Sequence, residues 1–477
     1  MSEESLNVTY SPEGEDEMGT SESANSPLSA PNCTKLQLQD HIKAFMEKTK
    51  LEREVETLTC SSELIDKVVL NYIIAKKILS NLSWQDKLLC KQVCSTWHSA
   101  VQALRREQLG PVDFLLNLHS QTVLTWAVLK KSGEFSTEPL VVMTFVSASG
   151  LDMTCRCRFI EPTLCFDPEC QSDHSLLDAL QIYTSGPKKC MNTIRTDYLS
   201  YMPLPTSVTY EHTFLHMKFD PYMVGVFIPV IPDVKFHTIN IKCIDNMQQE
   251  FYDVVREIAN DRIFKGIFVY VTDKYLLHSV EDIVFLNHFK EVQPDIPYAI
   301  GGCIIEDAFE QPDIANGVIE AINEYREFFS ENLISISVFT VPKSPLSNEF
   351  NFDMYSLVLD SSYWSKEKIQ QGINEFSKRV PQFEYSVAIK LACVGRDKKH
   401  KWEQDCFRAV FPNTRIVGCY GNGELGVDHP PKPPEESPHS SAKRHCRSSG
   451  PQFGIVYSYS SVFVYMGWGK ILSNGPC

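Results

Sequence analysis

Apolar residues recur at helical spacing in the stretch LNYIIAKKILSNL, which begins at residue 70. The residues that repeat every fourth position, and so fall on one helical face, are Leu70, Ile74, Ile78 and Leu82. Two further apolar residues, Ile73 and Leu79, are expected to fill the same face. The pattern predicts an amphipathic helix whose apolar side is covered by other parts of the protein or by a partner.

Two more short helices are predicted directly after the first. Ser83 is a favourable N-cap, and Asp86 stands in the first turn that follows, where an acidic side chain stabilises a helix. The third helix is indicated by Val93, Cys94 and Trp97. The dipeptide Gly110-Pro111 then interrupts the pattern, so the helical unit is expected to occupy residues 64–110. A unit this small either forms a modest core of its own or gains stability from a partner.

Beyond residue 112, short β-branched runs alternate with helical patterns. Strands are predicted at Leu140–Val146, Met223–Val230, Gly266–Val271, Tyr298–Ile305, Leu333–Val341, Tyr385–Val394, Thr414–Tyr420 and Val456–Gly467. Helices are predicted at Asn246–Asn260, Val280–Lys290, Ile314–Phe329, Ser365–Lys378 and Trp402–Phe411. This order predicts an α+β chain in which a small all-α domain precedes a large mixed α/β layered domain. The break PKSPLSNEFN divides that domain into halves, 112–341 and 352–477.

Segments of biased composition flank these elements. Residues 1–34 are acidic and contain no Lys or Arg, so we expect a disordered leader. Residues 35–63 are expected to form an amphipathic helix or linker. The Pro- and Ser-rich segment 429–452 predicts a disordered loop. Its basic cluster KRHCR is interpreted as a solvated patch, with a weak nuclear-targeting signal as the alternative.

Composition narrows the classes of function. A net charge of −15 argues against nonspecific binding of nucleic acid, so no nucleic-acid partner is expected. No apolar run approaches the roughly 20 residues that span a bilayer, so no membrane partner is expected either. The acidic N-terminus does not resemble a secretory signal. We therefore expect a cytoplasmic protein, with the nucleus as a second compartment, whose 16 cysteines are reduced thiols.

Candidate catalytic and cofactor patterns fail on their context. The segment Gly421–Gly426 satisfies G-x-G-x-x-G after a predicted strand, but Pro430 and Pro431 prevent the helix that a nucleotide site requires. Cys303 and Cys393 are candidate nucleophiles, yet the sequence places no His beside either. A loose metal-ligand cluster, which equally suits buried thiols, comprises Cys155, Cys157, Cys165, Cys170 and His174. We expect no catalytic residue, no cofactor and no metal.

The helical stretch resembles an F-box. The residues that carry the resemblance are Leu70, Ile78, Leu79, Leu82, Ser83, Asp86, Val93, Cys94 and Trp97. Asn71 and Ile73 depart from the family pattern, which has Pro and Glu at these positions. The resemblance implies docking on the Skp adaptor, and through it on the cullin scaffold, of a ubiquitin ligase. The implied adaptor-binding residues are Leu70, Ile78, Leu79, Leu82, Asp86, Val93, Cys94 and Trp97.

The C-terminal region is similar to the second half of a FIST domain. The similarity is carried by Ala392–Arg396, Phe407–Pro412 and Gly421–Gly426, with Gly301–Cys303 as a weaker element of the first half. The resemblance implies a candidate ligand pocket formed by Arg396, Gly421, Asn422, Gly423 and Glu424. Arg396 is suited to pair with a carboxylate, and a surface salt bridge is the favoured interpretation.

Two functions follow from these resemblances. In the first, the protein is the substrate-recognition subunit of an SCF-type ubiquitin ligase. The F-box docks on the adaptor, and the FIST-like domain holds an unidentified protein substrate for ubiquitination and proteasomal degradation. In the second, the FIST-like domain senses a small, amino-acid-like ligand, and the F-box is weak or vestigial. Both hypotheses describe a protein that is not itself an enzyme.

Overall fold

The computed structural model describes residues 67, 69–121, 124–152, 154–156, 173–196, 198–204, 222–242, 247–273, 275, 282–309, 332–344, 351–360, 363–432, 456–457 and 459–473. These residues belong to one compact unit, Asp66–Cys477. The predicted leader 1–34, the segment 35–63 and the helix predicted at Ile314–Phe329 lie outside the described residues, as does most of the predicted loop 429–452.

Three helices lie near the start of the described chain, as the periodicity predicts. They are α1 (Tyr72–Ser80), α2 (Trp84–Cys90) and α3 (Ser95–Glu107). Their small buried cluster contains Leu79, Ala100, Val101 and Leu104. The expectation that Ile73 and Leu79 share one face is wrong, because Leu79 is fully buried and Ile73 is 77% exposed. Six residues are about 600°, or about 240° modulo a full turn, apart on an α-helix, so the two side chains point in different directions.

The helical unit contacts the body of the protein that follows it. Lys87 is buried, and its Nζ donates to the carbonyl oxygen of Ser136 at 2.8 Å. The Trp84 indole donates to the carbonyl oxygen of Thr184 at 3.4 Å. Burial lowers the pKa of Lys87 to about 8. These contacts fix α2 against the body.

Three mixed sheets and a short hairpin contain the strands of the described residues. The first sheet has the order β12 (Asp307–Phe309), β6 (Met191–Arg195), β3 (Pro139–Val146), β8 (Tyr222–Pro229), β1 (Val112–Gln121) and β2 (Leu124–Lys131). The second has the order β18 (Val456–Tyr457), β17 (Glu424–Val427), β11 (Ala299–Ile305), β10 (Arg262–Thr272), β13 (Ile334–Pro342) and β9 (Lys235–Ile241). The third has the order β14 (Asn351–Leu359), β19 (Ser461–Ser473), β15 (Gln382–Cys393), β16 (Arg415–Gly421) and β7 (Tyr198–Met202).

The hairpin pairs β4 (Thr154–Arg156) with β5 (Asp173–Ser175). Each large sheet contains one parallel pair, namely β3 with β6, β10 with β11, and β15 with β16. The remaining helices are α4 (Ala148–Asp152), α5 (Leu176–Thr184), α6 (Met247–Asp261), α7 (His288–Val292), α8 (Lys366–Ser377) and α9 (His400–Val410). Turns of 3₁₀ helix occur at Lys188–Cys190, Asp282–Asn287 and Val394–Lys399.

The three sheets share one buried apolar cluster, to which Leu115, Phe268 and Ile389 contribute from the first, second and third sheet respectively. Separate clusters pack α5 on the first sheet, α6 and α7 on the second, and α8 and α9 on the third. Sheets therefore meet at the centre, and helices cover their outer faces. The described chain is mixed α/β, consistent with the predicted α+β class.

The two predicted halves of the large domain exchange strands. Strand β7 belongs to the first half but pairs with β16 of the second, Tyr201 lying opposite Val417. Strand β17 belongs to the second half but pairs with β11 of the first, Gly302 lying opposite Leu425. The halves are therefore joined by backbone hydrogen bonds. Within the described residues no helix is long and apolar enough to cross a membrane.

Candidate functional site

Exposed aliphatic side chains lie on α1 and just before it. Leu70 is 64% exposed, Ile73 77%, Ile74 40% and Ile78 39%. We call these four residues the α1 face. Val93, in the turn between α2 and α3, is also exposed. Large aliphatic side chains grouped in this way on a soluble protein commonly mark an interaction surface.

Trp97 and Leu82 support the α1 face through contacts with the chain before Leu70 and with the small helical core. The Trp97 indole Nε1 donates to the carbonyl oxygen of Val69 at 2.9 Å and so ties α3 to the chain just before Leu70. Leu82 and Trp97 both pack against the small cluster around Leu79. Among the predicted adaptor-binding residues, the chain thus exposes Leu70, Ile78 and Val93, half-buries Leu82, Asp86, Cys94 and Trp97, and fully buries Leu79.

Asn71 has a clear structural role at the start of α1. Its side-chain oxygen accepts hydrogen bonds from the backbone N–H groups of Ile73 and Ile74, at 3.0 and 3.1 Å. This is the geometry of an N-cap, and Asn is among the best residues for it. Asn71 therefore begins the helix that presents the α1 face. Ser83 caps α2 in the same way, accepting from the backbone N–H of Asp86.

The second candidate site lies where the parallel strands β15 and β16 end. Glu403 of α9 accepts from Arg396 Nε at 2.5 Å and lies 3.1 Å from Lys390 Nζ. All three side chains are fully buried. The sequence favoured a surface salt bridge for Arg396, and this was wrong, because Glu403 on the following helix lies beneath the surface with its own hydrogen bond from Ser461.

Glu424 lies beside this ion cluster. Its carboxylate accepts from both the backbone N–H and the hydroxyl of Ser460, at 3.3 and 2.7 Å. Burial raises the pKa of Glu424 to about 7, although hydrogen bonds from Ser460 and the Cys393 thiol, together with the charge of Arg396, favour the ionised form. Glu424 is thus a buried carboxyl group that changes charge near neutral pH.

The chain segment that covers this cluster is held in an unusual conformation. Tyr459 has a left-handed backbone, with φ of 59°, although it carries a large side chain. Its ring lies against Gly395, where a Cβ atom would come within 2.6 Å of a ring carbon. Arg396 Nη1 donates to its carbonyl oxygen at 2.5 Å. Backbone strain held in place by a buried ion cluster is typical of functional sites.

The glycine-rich turn meets the end of β11 at the same place. The backbone N–H of Asn422 donates to Ile304 O at 3.0 Å, and Ile304 N–H donates to Gly423 O at 2.8 Å. A Cβ atom at Gly421 would lie 2.2 Å from Ile304 O, so only glycine fits. Strand β17 begins at Glu424, and no helix follows the turn, as predicted. The predicted pocket residues are therefore brought together, with only the Asn422 side chain exposed among them.

Sequence reasoning missed three members of this cluster, namely Lys390, Glu403 and Ser460. Lys390 offered a usable signal, because a lone lysine interrupts the apolar run VAIKLAC of a predicted strand. Lysine is almost never fully buried unless it is paired, so this position required a partner. Glu403 and Ser460 carry no comparable signal, since Glu403 lies among polar residues of a predicted helix and a serine within a predicted strand is not unusual.

The structure describes some of the cysteines that the sequence offered as nucleophiles or metal ligands. Cys303 and Cys419 lie in contact across the central cluster, with their sulfur atoms 3.5 Å apart, and burial raises the pKa of Cys303. Strand pairing sets Cys155 opposite His174, whereas Cys157, Cys165 and Cys170 lie outside the described residues. In the part of the chain that is described, no group of His, Cys, Asp or Glu side chains is arranged to hold a metal ion.

Comparison with known proteins gives little further guidance. No protein-family model matches the chain, and no curated protein matches it. A crystal structure of cyanuric acid hydrolase from A. caulinodans is a weak structural match, with 8% sequence identity and a TM-score of 0.26. The match covers 69% of this chain and 91% of that one. A likeness at this TM-score supports no argument about fold or chemistry.

Proposed function

We propose that the protein is the substrate-recognition subunit of an SCF-type ubiquitin ligase. The observation that carries the proposal is the α1 face, in which Leu70 just before α1 and three isoleucines on it are exposed, whereas Ala75 and Leu79 of the same helix are buried. Leu70 and Ile78 of this face are also residues of the F-box resemblance. In this proposal the face docks on the Skp adaptor, which links the protein to the cullin scaffold.

The body of the protein would then hold the target. Three sheets with a common core form a rigid support for a bound protein. A receptor of this kind contributes no catalytic residue, since it speeds ubiquitin transfer by holding target lysines near the enzyme that carries ubiquitin. Target binding followed by degradation in the proteasome is the function that this arrangement would serve.

The decisive test is binding of the full-length protein to purified Skp adaptor. Replacing Leu70 and Ile74 together with Asp is expected to weaken binding about 100-fold or more, since buried aliphatic anchors dominate interface energies. Both side chains are exposed, so the variant should keep its unfolding temperature. Leu82→Ala and Trp97→Ala are less informative, because both residues support the helical core and their loss would also destabilise it.

Leu472→Asp is the matched control, because Leu472 is a 59% exposed aliphatic residue on β19, far from α1 in the sequence and in another part of the fold. This variant should bind the adaptor as the unaltered protein does. If the unaltered protein shows no adaptor binding, or if the double variant binds as tightly as the control, the proposal fails.

A second candidate function, the sensing of a small amino-acid-like ligand, is favoured by the cluster around Glu424. Ligands of α/β proteins commonly bind beyond the carboxyl ends of strands, where Arg396 and Glu424 lie. Under this hypothesis a free amino acid from a panel raises the unfolding temperature of the protein. Asn422→Ala, at the exposed edge of the cluster, should reduce that shift, and Gln371→Ala on the outer face of α8 should not. A panel without any stabilising compound would remove this candidate.

A further inference from the structure

The helical unit has a charge opposite to that of the rest of the chain. Residues 67–107 contain seven Lys and Arg against two carboxylates, Asp86 and Glu107, a net charge of +5. The residues before the unit, 1–66, carry −9, and the body that follows it, 108–477, carries −11. A separation of charge this large creates a field that orients an approaching partner.

Part of this positive charge lies directly beside the α1 face. Lys77 is exposed and lies one helical turn after Ile73, on the same side of α1. Arg106 of α3 is exposed as well. Three other cations of the unit are occupied. Lys76 pairs with Glu107 and Arg105 with Glu138, each at 2.6 Å, and Lys87 is buried. Lys77 is therefore the cation best placed to act together with the α1 face.

We propose that the α1 face docks into an apolar groove of an acidic partner protein. Ile73 is the central anchor, and Lys77 lies beside a carboxylate of the partner. The inference rests on the proposed function and specifies the chemistry of the adaptor surface that this chain fits. Ile73 is the most exposed residue of the face, at 77%, with Leu70 before it in the chain and Ile74 and Ile78 after it on α1.

The charge distribution decides the orientation of the encounter. An acidic partner is repelled by the body, with its charge of −11, and attracted by the helical unit, with its charge of +5. Electrostatic steering of this type raises association rates about tenfold or more and weakens as salt screens the charges. A basic partner would be attracted to the body instead and would have no electrostatic reason to approach α1. The apolar anchor Ile73 and the positive charge of the helical unit thus both favour an acidic partner with an apolar groove.

The test measures association and dissociation rates of full-length protein and purified Skp adaptor at about 0.05 M and about 0.5 M salt. Ile73→Glu is expected to weaken binding about tenfold to a hundredfold, since full burial of an isoleucine is lost and a charge enters the groove. Lys77→Glu is expected to slow association several-fold at low salt and to have little effect at high salt. The controls are Val254→Glu on α6 and Lys235→Glu on β9, both at exposed positions.

Each outcome separates this inference from the proposed function. Ile73→Glu introduces the residue that the F-box pattern has at this position. If the unaltered protein binds the adaptor and Ile73→Glu binds equally or more tightly, the contact is polar and the inference is wrong, while the proposed function stands. Equal salt dependence in Lys77→Glu and Lys235→Glu would also overturn it. If the unaltered protein does not bind the adaptor, both the function and the inference fail.

Discussion

Replacing Glu403 with Gln is expected to lower the free energy of unfolding by about 3–5 kcal/mol. The substitution keeps the shape of the side chain but removes the carboxylate that contacts both Lys390 and Arg396 inside the protein. Two buried cations then lie close together without a counter-ion from Glu403. Urea unfolding of the full-length protein, followed by circular dichroism, measures the loss.

Two further variants make this prediction specific. Glu107→Gln removes one partner of the exposed pair with Lys76 and should leave the unfolding midpoint nearly unchanged, because water screens such pairs. Lys390→Met in the Glu403→Gln background should recover part of the lost stability, because one of the uncompensated cations is removed. The explanation fails if Glu403→Gln is no more harmful than Glu107→Gln.

The direction of the Glu403 pKa agrees with this argument. Burial by itself raises the pKa of the carboxyl group, but Lys390, Arg396 and the Ser461 hydroxyl outweigh burial and lower it. A carboxyl group with a lowered folded pKa stabilises the protein above its unfolded pKa. That contribution is lost as the pH falls through the folded value. Acid is therefore expected to weaken the ion cluster from the Glu403 side.

The central strands could be predicted from sequence because they are buried on both faces. Leu140–Val146 was predicted and Pro139–Val146 is observed, and the prediction Leu333–Val341 corresponds to Ile334–Pro342. Such strands are rich in β-branched and other apolar residues, a composition that indicates burial. The prediction Val456–Gly467 merged two strands, because nothing in its composition signals the left-handed turn at Tyr459.

The pairing of the sheets could not be predicted in the same way. Periodicity reports which face of a strand is buried, but it carries no information about the neighbouring strand. The short strand β7 therefore gave no sign that it joins β16, more than two hundred residues later. The same limit hid the ion cluster, since Glu403 reaches Lys390 only after α9 folds back on the third sheet. Local pattern identifies the elements, whereas the site depends on contacts between them.

In the helical unit, the elements could be predicted from sequence, but the exposed surface could not. Sequence spacing predicted all three helices, yet it could not decide which apolar residues remain exposed. The side chains of Leu79 and Ile78 are neighbours in sequence, but only Ile78 faces solvent. Which face α3 covers determines the outcome, and this is a tertiary contact. The motif therefore located the candidate surface, and packing selected its members.

Removing the ionisable group of Glu424 is expected to change how stability depends on pH. The pKa of Glu424 is raised to about 7, so the folded protein binds a proton here more tightly than the unfolded chain does. Its stabilising contribution is complete below the unfolded pKa and is lost as the pH rises through about 7. Between about pH 5 and about pH 8 this amounts to at most about 3 kcal/mol.

The measurement compares urea unfolding of the unaltered protein and of Glu424→Gln across that pH range. His237 and His429 are present in both proteins, so the difference between the two curves reports Glu424 together with the Cys393 thiol that hydrogen-bonds it. The stability of the unaltered protein relative to Glu424→Gln should decline as the pH rises through 7. If the plots of stability against pH for the unaltered protein and Glu424→Gln run parallel, the raised pKa is contradicted. The control is Glu375→Gln on the exposed face of α8, whose plot should run parallel to that of the unaltered protein.

The same proton also determines the charge of the buried cluster. When Glu424 is ionised, its charge and that of Glu403 balance Lys390 and Arg396. When Glu424 is protonated, one positive charge remains without compensation from these carboxylates. A carboxylate ligand of the cluster would then bind more tightly below pH 7 than above it, because it supplies the missing charge. The pH dependence of unfolding thus tests the electrostatic basis of the second candidate function without requiring the ligand to be known.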